Sequence, residues 1–169
     1  DAQEIMERQI DLAADNGIDF FLFCWYWRDN KGAINEQGIN DLALHTSLNL
    51  YLKAKNKHRL KFALLVANHQ GSEILGSTNW QAAVRHWLPY FNDPQHVKVD
   101  GKPLVVLFDS KVVTAENLQS MQDEAKKGPL DGLSIAGCNT NPSQTGFTHR
   151  THYNVVPGYG AGSEEQSFS

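Results

Sequence analysis

The chain has little of several features that would quickly suggest a function. Its 169 residues include two cysteines, Cys24 and Cys138, which fit neither a disulfide framework nor a zinc site. No apolar run is long enough to span a membrane. The net charge is −4 and the basic residues are scattered, so nothing marks a surface for nucleic acid or an anionic membrane. We therefore expect no nucleic-acid partner, no membrane span in this segment and no cofactor.

The chain also lacks a starting methionine, an internal repeat and a low-complexity segment. It opens at Asp1 inside a predicted helix and stops in a polar tail, residues 163–169. We expect it to be a piece of a longer protein, so the lack of a targeting segment carries no information on location. With 41% apolar and 20% charged residues, its composition is that of a globular domain.

Helix and strand patterns alternate along the whole chain. Apolar residues at helical spacing predict four helices, and uninterrupted apolar runs predict strands buried on both faces. The predicted helices cover 2–16, 39–56, a segment that begins at the N-cap Thr78, and a segment from the N-cap Thr114 to Gly128. The predicted strands cover 18–25, 60–67, 104–108, 133–137 and 153–156, with polar loops at 28–38 and 142–152. A tight turn on Asp100-Gly101 precedes the third strand.

This alternation predicts an α/β fold with a parallel sheet. Two architectures fit: a doubly wound open sheet, and a (β/α)8 barrel (TIM barrel) present as a partial barrel of about five parallel strands. No glycine-rich phosphate loop follows any strand, which disfavours a nucleotide-binding open sheet. Polar or aromatic residues end every predicted strand, where barrel enzymes carry their chemistry. This pattern favours the barrel and leaves the open sheet as an alternative.

Three segments of the chain resemble one known family. They are Gly17 to Trp27, which reads Gly-Ile-Asp-Phe-Phe-Leu-Phe-Cys-Trp-Tyr-Trp, then Phe62 to Asn68, and then Trp87 to Leu104 with its Leu-Pro-Tyr-Phe-Asn-Asp-Pro and Val-Asp-Gly-Lys-Pro-Leu runs. Their order and spacing are similar to the WbsX-like proteins, which are related to glycoside hydrolase family 99. The resemblance runs through nearly all of the chain and weakens after about Thr140.

The resemblance implies a (β/α)8 barrel that acts on glycans, typically α-mannosides. It implies that residues 1–169 are a fragment of one such domain, with the first strand before Asp1 and the C-terminal strands, with the family's Asn-Glu-Trp-type acidic motif, after Ser169. The catalytic carboxylates are then expected outside the fragment. Members of the family usually carry an Asn-Glu pair after the second of these strands, where this chain has Asn68-His69. We therefore expect a glycoside hydrolase, with a non-catalytic carbohydrate-binding barrel as the alternative.

The expected glycan contacts lie at the ends of the predicted strands. Aromatic rings offer sugars flat apolar faces with a polar edge. We expect the first strand to end near Cys24, which would free the two indoles of its aromatic run at the mouth of a cleft, and Trp27→Ala to weaken glycan binding with little loss of fold. The predicted substrate-binding residues are Trp25, Tyr26, Trp27, Asn68, His69, Asn139 and Tyr159.

Asp109 is the carboxylate best placed for catalysis, although a turn or helix-capping role explains it slightly better. Glycoside cleavage usually needs two carboxylates, and Asp29 is a distant second candidate. His149 and His152 have His-x-x-His spacing but no Cys or carboxylate beside them, so we expect no metal there. Cys138 follows a buried strand without an adjacent base, which indicates a packed thiol and not a nucleophile.

Overall fold

The computed structural model describes residues 1–27, 39, 42–140 and 144–153. Its four helices are α1 (Ala2–Asp15), α2 (Thr46–Lys53), α3 (Gly76–Phe91) and α4 (Ala115–Ala125). Its six strands are β1 (Phe20–Trp25), β2 (Lys61–Val66), β3 (Lys98–Val99), β4 (Lys102–Leu107), β5 (Ser134–Cys138) and β6 (His149–Thr151). Short 3-10 turns cover Ala43–His45, Lys57–Arg59 and Ser110–Val112.

Five of the strands form one parallel sheet in the order β1-β2-β4-β5-β6. β2 lies beside β1 with Trp25 opposite Val66, and beside β4 with Val66 opposite Leu107. β3 forms an antiparallel hairpin with β4. The hairpin turns at Asp100-Gly101, where both residues have positive φ, 50° and 77°, as a tight hairpin turn requires.

The two faces of the sheet are covered differently. The larger core cluster joins one face to all four helices, through residues such as Ile10, Tyr51, Trp87 and Met121. A second, smaller cluster lies on the other face and contains no helical residue of the described chain. It comprises Leu65, Val106, Ala136 and Cys138 with Cys24, Leu104 and Phe108, and all of these belong to strands except Phe108, which directly follows β4. A doubly wound sheet carries helices on both faces, whereas a barrel carries them outside only. The described structure is therefore a partial barrel, and the open-sheet alternative is wrong.

Local sequence signals account for several element boundaries. Asp1 and Glu4 form a capping box at the start of α1, and Thr114 and Asn117 form another at the start of α4. Gly17, with φ 79°, lets the chain leave α1 toward β1. These caps follow the predicted boundaries closely because side chain and backbone satisfy each other within one turn.

Three predicted elements need correction. Over residues 42–56 of the predicted helix 39–56, the structure has a 3-10 turn followed by the shorter α2, and Leu44 in that turn is 56% exposed. The predicted N-cap Thr78 lies inside α3, which begins at Gly76 without a side-chain cap. The fifth strand is β6, in the predicted polar loop, while Tyr153 follows it and residues 154–156 lie outside the described residues. All three residues of β6 are exposed, so no apolar run marks it.

Within the described ranges, no helix combines the length and apolarity needed to cross a bilayer.

His96 predicts how stability depends on pH. Its ring packs edge-on against Phe62 and Phe91, and burial lowers the pKa of His96 to about 4 from an ordinary value near 6.5. In the unfolded chain the His96 ring is protonated below about pH 6.5, whereas in the folded chain it stays neutral down to about pH 4. We expect the unfolding free energy to fall by about 3 kcal/mol across this window because of His96.

Denaturant unfolding at several pH values checks this. His96→Phe, which keeps a ring of similar size, should flatten the pH dependence relative to the unmodified protein. The control is His58→Phe, because His58 is exposed and its variant should retain the full slope. Equal slopes for His96→Phe and the unmodified protein would contradict the prediction.

Candidate functional site

The parallel sheet brings five strand ends to one edge. The residues that follow the strands are Tyr26 after β1, Asn68 and His69 after β2, Phe108 and Asp109 after β4, Asn139 after β5 and Tyr153 after β6. Because the strands run in the same direction, their carboxyl ends share one side of the barrel. This edge is the candidate functional site.

Four rings form a continuous row across this edge, which we call the aromatic row: Tyr26, His69, Phe108 and Tyr153. Tyr26 meets His69 with ring centroids 6.2 Å apart, and His69 meets Phe108 at 5.9 Å. Phe108 meets Tyr153 at 4.8 Å. All three contacts are edge-to-face, with interplanar angles of 81° to 83°, which is a favourable aromatic geometry. The row thus links the ends of β1, β2, β4 and β6.

Strand alternation places Tyr26 on the helix-free face of the sheet. Cys24, two residues earlier, belongs to the cluster on the helix-free face, and Tyr26 continues on that side. Burial and the neighbouring Cys24 thiol raise the pKa of the Tyr26 phenol, so the ring is neutral at ordinary pH. Tyr26 is only partly buried.

A buried histidine fixes the backbone at Tyr26. The Tyr26 amide donates to Nε2 of His45 at 2.9 Å, and Nδ1 of His45 lies 2.8 Å from the Ile39 carbonyl. Nε2 must accept, so Nδ1 carries the proton and the imidazole is neutral; burial also lowers the pKa of His45. The ring stacks on Trp25 at 5.7 Å. No sequence pattern pointed to His45, because it lies in a 3-10 turn that is far along the chain from any strand end.

The structure corrects the predicted orientation of Trp25 and Trp27. β1 runs through Trp25, so both indoles continue on the helix side, where they are 0% and 1% exposed. Trp25 packs edge-on against Trp87 of α3 at 5.3 Å and lies 6.2 Å from Trp27. The two indoles are core residues in this structure, and Tyr26 is the residue of the aromatic run that joins the aromatic row.

The other predicted residues lie near the row in different states. Asn68 is buried, and its amide pairs with the Asp109 backbone through two hydrogen bonds of 2.9 Å. His69 is exposed, with Nδ1 3.0 Å from the Gln70 carbonyl. Asn139 is exposed with φ 50°, and its Oδ1 accepts from the Tyr153 amide at 3.4 Å. Tyr159 and Asp29 lie outside the described residues.

Two further residues singled out in the sequence, His149 and Cys138, have structural surroundings. His149 lies within hydrogen-bonding distance of the Ser134 and Thr148 hydroxyls. No group of three His, Cys, Asp or Glu side chains in the described part of the chain could hold a metal ion. Cys138 is 2% exposed, and burial raises the pKa of its thiol, which fits a packed thiol.

Phe108 and Tyr153 are the row members that sequence reasoning missed. The sequence predicts Phe108 as the last residue of a buried strand and Tyr153 as the first residue of another. The position of Phe108 at the carboxyl end of its strand, directly before Asp109, was the one sequence signal for a place in the site. Only the tertiary contact between the two rings identifies them as parts of one surface.

These features define a barrel-type α/β protein with a row of aromatic rings at its strand ends. A family model described as glycosyltransferase WbsX matches residues 1–164. The chain therefore belongs to the WbsX family, and the resemblance seen in its sequence is confirmed.

A solved structure shares the fold. The GH99 endo-alpha-mannosidase from Bacteroides thetaiotaomicron aligns with a TM-score of 0.67 over 93% of this chain, at 14% sequence identity. The alignment covers 45% of that protein, so this chain spans less than half of its length. The likeness confirms the predicted barrel fold. No curated protein matches the chain by sequence.

The burial difference along the aromatic run predicts losses of stability of different size. Trp27→Ala should lower the unfolding free energy by about 3 to 5 kcal/mol, because it empties a core site. Tyr26→Ala should cost about 1 kcal/mol, because its ring is partly exposed. Chemical denaturation of both variants checks this, and a smaller loss for Trp27→Ala than for Tyr26→Ala would contradict the placement of the indoles.

Proposed function

We propose that this chain forms the sugar-binding part of a glycan-active enzyme. The observation that carries the proposal is the aromatic row at the carboxyl ends of four strands, beside the carboxylate-bearing residue Asp109. Rings with accessible faces and polar edges suit pyranose sugars, which have apolar faces and peripheral hydroxyls. Membership of the WbsX family and the fold shared with an endo-alpha-mannosidase support the same class of ligand.

Hydrolysis of an α-mannoside or a related polysaccharide linkage is the reaction we favour. Glycoside hydrolysis usually places two carboxylates on either side of the scissile bond. Asp109 is the candidate carboxylate within the described residues, and the second would come from another part of the protein. The row members Tyr26 and His69, with Phe108 and Tyr153, would bind the sugar rings, and Asn139 and Tyr159 stay proposed contacts.

The family description favours a second candidate reaction, glycosyl transfer. Both reactions need a sugar platform at the strand ends, and they differ in the acceptor: water in hydrolysis, a sugar hydroxyl in transfer. A non-catalytic carbohydrate-binding barrel is a third candidate, because His69 stands where the resemblance leads one to expect a glutamate. Incubation with α-mannan, alone or with a nucleotide-sugar donor, separates the three by release, elongation or simple retention of glycan.

We also propose that residues 1–169 are part of one larger barrel domain. An apolar groove of about 960 Å³ runs beside the outer edge of β1, between that strand, α1 and α2. Its lining includes Leu12, Phe21, Leu22 and Leu48. An open strand edge next to exposed apolar side chains is unfavourable in water, and a further strand would cover it. The 45% coverage of the solved relative supports the same proposal.

Glycan affinity tests the aromatic row. In the protein, Tyr26→Ala and Phe108→Ala should each weaken binding of an α-linked mannose oligosaccharide by about 1 to 3 kcal/mol, the scale of one aromatic contact. Isothermal titration gives the affinities. Phe20→Ala is the matched control, because Phe20 lies at the opposite end of the same strand and is 38% exposed. Unchanged affinity in both row variants would refute the proposed platform.

A further inference from the structure

The backbone at the end of β4 is tied on both sides by buried polar side chains. On the β2 side, Oδ1 of Asn68 accepts from the Asp109 amide and Nδ2 donates to the Asp109 carbonyl. On the β5 side, the hydroxyl of the fully buried Ser110 donates to the Cys138 carbonyl at 2.6 Å. The last backbone hydrogen bond between β2 and β4 runs from the Phe108 amide to the Val66 carbonyl at 3.0 Å. The side-chain hydrogen bonds of Asn68 and Ser110 continue the inter-strand bonding beyond it.

Asn68 has little capacity left for a ligand. Its side chain is 1% exposed, and its donor and acceptor ends each pair with the same residue at 2.9 Å. To contact a substrate hydroxyl, the amide would have to give up a buried hydrogen bond and leave a backbone group unpaired, which is unfavourable. The geometry therefore separates Asn68 from the surface that meets the ligand.

Asp109 shows the opposite arrangement. Its backbone is held by Asn68, but within the described residues its carboxylate takes part in no hydrogen bond or ion pair, and the residue is only partly buried. It directly follows Phe108, whose ring belongs to the aromatic row. A carboxylate on a fixed backbone beside a ring platform can accept hydrogen bonds from ligand hydroxyls without a large loss of conformational freedom on binding.

We propose that Asn68 is a positioning residue that acts through Asp109, and that Asp109 is a ligand-contacting carboxylate that selects for the hydroxyls of a bound sugar. The Asn68 amide and the Ser110 hydroxyl hold the turn that carries Asp109 at the end of β4. The proposal rests on the proposed glycan function, since the ligand hydroxyls are those of a sugar.

A double-mutant cycle in the protein separates positioning from direct contact. Asn68→Ala should weaken binding of an α-linked mannose oligosaccharide about tenfold when Asp109 is present. The same substitution in an Asp109→Ala background should change affinity by less than about twofold, because the side chain that Asn68 positions has already been removed. An equal loss in both backgrounds would mean that Asn68 acts on its own and would overturn the proposal.

Amide hydrogen exchange of Asp109 gives a readout that needs no ligand. The Asp109 amide should be protected in the unmodified protein and lose that protection in Asn68→Ala, and retained protection would also overturn the proposal. If the unmodified protein binds no glycan, the proposed function fails, and the positioning role is decided by exchange alone. Where Asn68→Ala does not fold, Asn68→Leu serves, because it keeps a similar side-chain volume and loses both the acceptor for the Asp109 amide and the donor to its carbonyl.

Asn56→Ala is the matched control variant. Asn56 is partly buried and, like Asn68, donates from Nδ2 to a backbone carbonyl, that of Glu7, at 2.8 Å, but it lies against α1 away from the strand ends. Its substitution should lower stability while leaving glycan affinity and Asp109 exchange unchanged. A tenfold loss of affinity in Asn56→Ala would show that general destabilisation explains the Asn68 effect and would overturn the proposal.

Discussion

The parallel pairing of five strands is the constraint on which the rest of the structure depends. It aligns the carboxyl ends of β1, β2, β4, β5 and β6 at one edge. It also fixes the alternation that sends one set of side chains to the helices and the other to the helix-free face. A shift of one residue in the register of β1 would exchange the faces of its last residues. This pairing therefore determines which residues lie together at the strand ends.

The limits of sequence reasoning are clearest in the aromatic run. Alternation correctly puts Trp25 and Trp27 on one side and Tyr26 on the other, but it cannot say which side faces the helices. Trp87 of α3 and the His45 ring decide this, because together they fill the space around Trp25. Both contacts join residues far apart in the chain, which no local pattern records. The alternation of helices and strands, the capping boxes and the Asp100-Gly101 turn were predictable because each depends on neighbours within a few residues.

The family description and the solved relative name different reactions, transfer and hydrolysis. The described residues do not require a choice, since a ring platform and a positioned carboxylate serve either one. The choice depends on what stands opposite Asp109 across the cleft: a second carboxylate suits attack by water, whereas a donor-binding surface suits transfer. In the proposed function the described residues supply sugar recognition, and the group opposite Asp109 decides the chemistry of the bond.

Polar residues that follow the strands or contact the strand ends divide into two groups. Asn68, Ser110 and His45 are buried, and their hydrogen bonds go to the backbone of neighbouring segments. Tyr26, His69 and Asp109 keep their side chains at least partly accessible, while His45 and Asn68 hold the backbones of Tyr26 and Asp109 in place. Buried polar groups must be satisfied internally, so a buried residue near a site is more useful as support than as a ligand. The backbone positions of Tyr26 and Asp109 therefore depend on buried neighbours whose own side chains are already hydrogen-bonded.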